Sequence, residues 1–364
     1  VYSAPALPQL LEEDARIFSG APWLQKLLRD AAMAYEENRN PDHRYAVTAK
    51  LLADLRDNLP RVKSASARLR VLDLSLAVEA NNFSCSTALR DATAETNRIT
   101  RLHWLQQSAL AAYGTGLITK RSLEEIHKSI ARLDMQKVSL STYMKELDYL
   151  GRVPGWGTQG LRFQFFESMQ KLAEIEPLAL HFIQDQLRGS PLLFLSQNLD
   201  SLARDANRLA GVKHKLFGEE QGAGFHALNP GLARGTLHTR VDMKDMEAIE
   251  QDGIYVLPET ISDLPPLAGI ITAGEGNPLS HVQLLARNLG IPNVTVDTAL
   301  VPKLQEHDGK TVVMAVSPAG LVELNEDSSH WQAVFGANKN DGNVVIRPDL
   351  EKLDLSVREF IDLN

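Results

Sequence analysis

The stretch Asn277-Pro278-Leu279-Ser280-His281 joins a helix-opening signal to a nucleophile. Asn277 is a good N-cap and Pro278 suits the first helical position, while Gly290 followed by Pro292 closes the same segment, so a helix over 278–289 is expected. A histidine in that first turn meets the positive end of the helix dipole. The dipole disfavours the imidazolium, keeps the ring a neutral nucleophile, and attracts a phosphoryl group once one is attached. On this ground alone, His281 as the phosphoryl-accepting nucleophile is a suggestion. Gly276 and Asn277 at the helix mouth, the Ser280 hydroxyl and the Arg287 guanidinium are the candidate phosphate-supporting groups. Taken alone, the same residues are also compatible with an ordinary histidine near a cap.

The elements around His281 give that chemistry a frame. LAGIITAG (267–274) reads as a buried strand that empties into Gly274-Glu275-Gly276, and the helix follows at once. Strand, glycine turn and helix N-terminus together present free backbone N–H groups to an anion. Val282, Leu285, Ala286 and Leu289 share one face of the helix and are expected on the sheet, with His281 at the edge of that stripe. Glu275 is a loop carboxylate near the histidine, with no role assigned to it.

The chain as a whole has two grammars. From about Leu10 to Leu216 apolar residues recur at helical spacing, as in WLQKLLRDAAMAYEEN and SLEEIHKSIARLDM, and seven to nine helices are expected, arranged as a bundle. Asn40-Pro41-Asp42, Asn58-Leu59-Pro60, Gly114 to Gly116 and Gly189-Ser190-Pro191 are stop and start signals. LGRVPGWGTQG (150–160) reads as a glycine-rich loop with Trp156 tucked on the bundle. Beyond the glycines of 217–224 the language turns to strands, at 232–241, 253–260, 267–274, 293–297, 310–316 and 320–326, with short helices near 243–250, 278–289 and 298–305. The expected organisation is an all-α domain at 1–221, an α/β domain at 222–330 and a linker at 331–364.

The residues about His281 resemble a known family. Gly274, Ser280-His281, Ala286-Arg287 and Gly290-Ile291-Pro292 are similar to the signature of the swivelling phosphohistidine domain of phosphoenolpyruvate-utilising enzymes, among them phosphoenolpyruvate synthase and pyruvate phosphate dikinase. The flanks agree: Asn229 to Gly235 resembles the entry strand, Asp252 to Val256 the second strand, and Asp308-Gly309-Lys310 with Gly320-Leu321-Val322 the closing hairpin. Leu279 stands where the family commonly has Thr, and Asn277 where it has Gly. The Leu-Ser-His form followed by Ala-Arg-Asn looks more like the plant glucan water dikinases. The resemblance implies a β/β/α swivelling domain whose histidine takes a phosphoryl group from an ATP-grasp nucleotide domain and passes it to pyruvate, water or a glucan.

Composition sets the outer limits. The formal charge of -8, from 38 Lys plus Arg against 46 Asp plus Glu, carries no general nucleic-acid footprint. One cysteine, Cys85, excludes an intrachain disulfide framework and fits a reducing cytoplasm, as a small packed side chain rather than a reactive thiol. No apolar run approaches the roughly 18 to 20 residues of a membrane span. The other histidines lack HExxH or paired ligand spacing, and the Glu-Glu pairs read as solvated faces, so no metal site is expected. With no glycine-rich phosphate loop and no legible Mg²⁺ carboxylates, ATP and Mg²⁺ are expected on an ATP-grasp domain of a longer parent chain, C-terminal to this segment. The reading is a phosphotransferase component, incomplete by itself, with a small-molecule or glucan acceptor. The alternative is a non-catalytic helical interaction module joined to a vestigial histidine domain.

Overall fold

The computed structural model describes residues 6–91, 96–209, 213–221, 224–240, 249, 252–257, 267–274, 283, 286, 290–317 and 320–331. The chain folds as an all-helical N-terminal region followed by a mixed sheet with helices.

The helical region holds ten α-helices among the described residues, above the seven to nine expected: α1 (Leu7–Ile17), α2 (Pro22–Glu37), α3 (Pro41–Asn58), α4 (Ala65–Asp91), α5 (Arg98–Gly114), α6 (Lys120–Leu133), α7 (Leu140–Leu150), α8 (Val153–Ala173), α9 (Phe182–Arg188) and α10 (Pro191–Leu209). Side-chain caps open α3, α5, α6 and α7, whereas α1, α2, α8 and α9 begin without one. The Asn97, Thr119 and Ser139 side chains accept the backbone N–H three residues on, at the heads of α5, α6 and α7. Asn40 caps α3, with Pro41 at its first turn.

Two apolar cores build the bundle, one among α1 to α4 around Leu11, Leu28 and Leu52, the other among α5, α6, α7 and α10 around Leu105, Ile126 and Leu202. Each such leucine or isoleucine contributes about 1.5–3 kcal/mol of burial. A smaller cluster of Tyr45, Cys85, Leu89, Trp104 and Phe194 fills the space between α3, α4, α5 and α10. Gly114 has its reason here: a Cβ on it would lie 2.5 Å from Leu52, so only glycine lets α5 cross α3 this closely.

The glycine-rich stretch 150–160, expected as a loop, is helical apart from a two-residue turn at Gly151 and Arg152. Pro154 falls in the first turn of α8, where a proline needs no N–H partner, and Gly157 lets the helix seat against Leu192. The other half of that expectation holds, since Trp156 packs edge-on against Tyr149 with ring centroids 5.7 Å apart.

The sheet has nine strands: β1 (His214–Leu216), β2 (Glu219–Gln221), β3 (Phe225–Asn229), β4 (Gly231–His238), β5 (Ile254–Leu257), β6 (Gly269–Ala273), β7 (Asn293–Val296), β8 (Thr311–Val316) and β9 (Val322–Glu326), in the order β2-β1-β9-β8-β4-β5-β6-β7-β3. The six strands expected from β4 onward are present, and three further ones precede them, two of them only three residues long. Strand structure therefore begins at His214, before the boundary expected at 222. Pairing is parallel along β4, β5, β6 and β7, and antiparallel where β3 closes one side and β8 and β9 extend the other.

All of β5 and β7 is buried, as parallel strands covered on both faces should be. Their valines and isoleucines enter one core with Leu237, Met314 and Leu324. The helix expected near 298–305 is present as a 3-10 turn, Thr298–Leu300, running into a short α-helix, Val301–Gln305. Most of 243–250 and the linker residues 332–364 lie outside the described residues. No helix among the described residues is long and apolar enough to cross a membrane.

Candidate functional site: the crossover from β6 to β7

The crossover is built from a buried strand on each side. β6 pairs in parallel with β7, from Ile270 opposite Asn293 to Ala273 opposite Val296. Where β6 ends, Gly274 takes φ 131°, a backbone state that suits glycine, and its N–H still donates to the Val296 carbonyl at 3.0 Å. The chain leaves the sheet at the carboxyl end of a parallel strand, the edge at which open α/β sheets bind ligands.

The return is equally defined. Gln283 and Ala286 are helical and buried, and Ala286 packs with Ile270, Leu267 and Ile291. Gly290 has φ 68°, and the Ile291 N–H donates to the Ala286 carbonyl at 2.8 Å, the six-residue closure of a Schellman C-cap. The turn expected at Gly290 is therefore present, while residues 287–289 before it lie outside the described residues. Gln283, three residues before Ala286, shares the buried face although it is polar.

His281, Ser280, Gly276, Asn277 and Arg287, together with Glu275, lie outside the described residues. Of the expected apolar stripe, Ala286 is described and buried, whereas Val282, Leu285 and Leu289 are not described.

The flanking motif residues do structural work around this unit. The Asn229 side-chain amide donates to the Ile291 carbonyl at 2.7 Å and to that of Ala286 at 3.4 Å, tying the end of β3 to the end of the crossover helix. A Cβ on Gly235 would stand 1.9 Å from the Asp252 carbonyl oxygen, so β4 can approach the head of β5 only with glycine there. Asp308 accepts from the Thr239 N–H at 2.7 Å and from its hydroxyl at 2.8 Å. Those bonds hold its carboxyl below the usual carboxylate range.

A second group of polar residues was not legible in the sequence. His226 on β3 and Asp200 on α10 form a 2.5 Å hydrogen bond between the sheet and the helical region. His214 on β1 is buried, and its Nδ1 accepts from the Val322 N–H at 3.1 Å. Burial first, and the neighbouring His226 second, push the His214 pKa down. No common spacing links Asp200, His214 and His226, so sequence periodicity could not bring them together. Among the described residues no three His, Cys, Asp or Glu gather as a metal-ligand set.

No protein-family model, no curated protein and no solved structure matches the chain.

Proposed function

We propose that this chain is the phosphohistidine-bearing part of a phosphotransferase, with His281 as the carrier. The observation that supports it most is the crossover itself: a buried parallel strand ending in Gly274, a helix closed at Gly290, and the Ser280-His281 and Ala286-Arg287 pairs of the signature within that one segment.

In this reading a neutral imidazole nitrogen of His281 attacks the phosphorus of a nucleotide bound on an ATP-grasp domain of the parent chain. The N–P bond forms, the P–O bond to the nucleotide breaks, and the departing oxygen keeps the electron pair. Backbone N–H groups near Gly276 and Asn277, the Ser280 hydroxyl and Arg287 offset the charge of the attached group. ATP with Mg²⁺ supplies the phosphoryl group. A small molecule or a glucan then takes it from the histidine, and the helical region serves as scaffold and docking surface in a cytoplasmic enzyme.

The test is phosphorylation of the full-length protein with ATP labelled at both β and γ positions. Acid-labile, base-stable label is expected on this chain, absent in His281→Ala and reduced in Ser280→Ala. Intact mass then tells phosphate from pyrophosphate. Label that persists in His281→Ala overturns the assignment, and a tight complex with no covalent phosphate favours the non-catalytic alternative.

A further inference from the structure

A cavity of about 530 Å³ lies among the first turn of α1, the end of α2, the start of α3 and the middle of α4. Three of its lining residues are charged, Glu36, Arg39 and Arg44, and none of them forms an ion pair among the described residues. Arginines elsewhere in the bundle are engaged: Arg70 by Asp14, Arg132 by Glu146, Arg56 and Arg98 by main-chain carbonyls.

Arg44 is held by its inner edge. Its Nε donates to the Tyr35 carbonyl at 3.2 Å, and its guanidinium lies over the Tyr35 ring, 4.4 Å from the centroid. Neither Nη has a hydrogen-bond partner, and neither is closed off from solvent. The outer fork of the guanidinium is thus fixed in place and free to bond two oxygens of one planar anion. Arg39 stands in the link between α2 and α3, where the Asn40 N–H donates to Asn38 Oδ1 at 2.8 Å and pins the backbone on both sides of it.

The other polar groups of the lining are already bonded. The Tyr35 hydroxyl donates to Asn81 Oδ1 at 3.5 Å, and the Asn81 amide donates to the Ala77 carbonyl at 2.9 Å. Leu7 and Pro8, in the first turn of α1, add an apolar wall with no acidic residue. Residues 1–5, which precede that wall, lie outside the described residues.

Charge selects the ligand. Two guanidiniums and one carboxylate leave a single net positive charge, which a monoanion matches, whereas a dianion brings an uncompensated charge beside Glu36. A carboxylate is the monoanion whose two coplanar oxygens pair with a guanidinium fork.

We propose that this cavity binds a small organic monocarboxylate, its oxygens on the outer fork of Arg44 and on Arg39, its body against the first turn of α1. The site is independent of whether His281 carries phosphate.

Benzoate, benzamide and phenyl phosphate share one ring and differ in charge, and each is titrated onto the protein at pH 8 by isothermal calorimetry. Benzoate is expected to bind saturably and about tenfold tighter than benzamide, the margin of one charge-assisted hydrogen bond. It should also bind tighter than phenyl phosphate, and Glu36→Gln should strengthen phenyl phosphate several-fold. Arg39→Gln, at an exposed position, should weaken benzoate about tenfold and leave the thermal unfolding midpoint unchanged. Arg44→Lys keeps the charge and loses the fork, so it should weaken benzoate several-fold. Absence of saturable benzoate binding, equal affinity for benzamide, tighter binding of phenyl phosphate, or an affinity that Arg39→Gln and Arg44→Lys both leave unchanged overturns the proposal.

Discussion

The Asn229 side chain donates to the Ile291 carbonyl at 2.7 Å, so the last residue of β3 holds the C-terminal end of the helix that follows β6. Ile291 is buried, and removing the amide leaves its carbonyl without that donor. Asn229→Ala is therefore expected to lose about 1–3 kcal/mol of stability in urea unfolding. On the proposed function it should also lower histidine labelling. Unchanged unfolding would mean that another donor replaces Asn229.

Two glycine-to-alanine changes near the crossover separate strain from collision. Gly290 has φ 68° with nothing within 4 Å of the place a methyl would take, so Gly290→Ala meets only backbone strain, about 1 kcal/mol. Gly235→Ala places a methyl 1.9 Å from the backbone oxygen of Asp252, which no rotamer change relieves. It is expected to cost roughly 3 kcal/mol or more, or to prevent folding. Thermal unfolding of the two variants side by side checks the order, and equal losses would contradict it.

Acid should loosen the bundle at Glu146. This buried carboxylate accepts from Arg132 Nε at 2.7 Å, from its Nη2 at 2.9 Å and from the Ser129 hydroxyl at 2.6 Å, linking α6 to α7. The Arg132 hydrogen bonds hold its pKa below the ordinary 4.5, against the opposing effect of burial, with Ser129 adding to the depression. A depressed carboxylate stabilises the fold above its unfolded pKa, and that contribution is lost as pH falls from about 4.5 through the folded value. Glu146→Gln should be less stable than the parent at pH 7 by roughly 1.5–3 kcal/mol, with the gap closing on acidification. A gap that stays constant from pH 7 to pH 3 would remove the pair from the account.

Cys85 offers a reporter for the bundle core. The thiol is buried with Tyr45, Trp104 and Phe194, and burial pushes its pKa up, so little of it is thiolate at neutral pH. Alkylation by iodoacetamide should be at least tenfold slower in the native protein than in urea. Rapid labelling of the native state would show that this cluster opens readily.

What the sequence made legible was local. Asn40-Pro41 announces α3 and Ser190-Pro191 announces α10 because a capping side chain acts within a few residues of itself. Gly290 announces the end of the crossover helix for the same reason. Residues 150–160 misled because glycine and proline mark loops on average, whereas Pro154 sits where a helix tolerates it and Gly157 is required by Leu192, a contact that no window of sequence contains. β1 and β2 escaped because three-residue strands such as His214-Lys215-Leu216 are too short for a period, and they exist by pairing with each other and with β9. The Asp200–His226 contact, 26 residues apart in the chain, is likewise a product of packing.

His214 tests that packing through pH. Its Nδ1 accepts from the Val322 N–H, so the ring is neutral as it sits, and protonation would replace an acceptor with a second donor facing that N–H. Burial and the neighbouring His226 both lower its pKa from 6.5, so the unfolded chain takes up a proton at a pH where the folded one resists. A base depressed in the fold gives its full stabilisation above the unfolded pKa, and loses it as pH falls below about 6.5 toward the folded value. The parent should therefore lose stability relative to His214→Gln on acidification from pH 7.5 to 5, at no more than about 1.4 kcal/mol per pH unit. Glutamine retains a carbonyl to accept from Val322 and removes the titration. His127, depressed mainly by burial, adds a slope of the same sign, which should persist in His214→Gln and vanish in the double variant with His127→Gln. Parallel stability curves for parent and His214→Gln over that range would mean that β1 and β9 do not depend on a neutral ring.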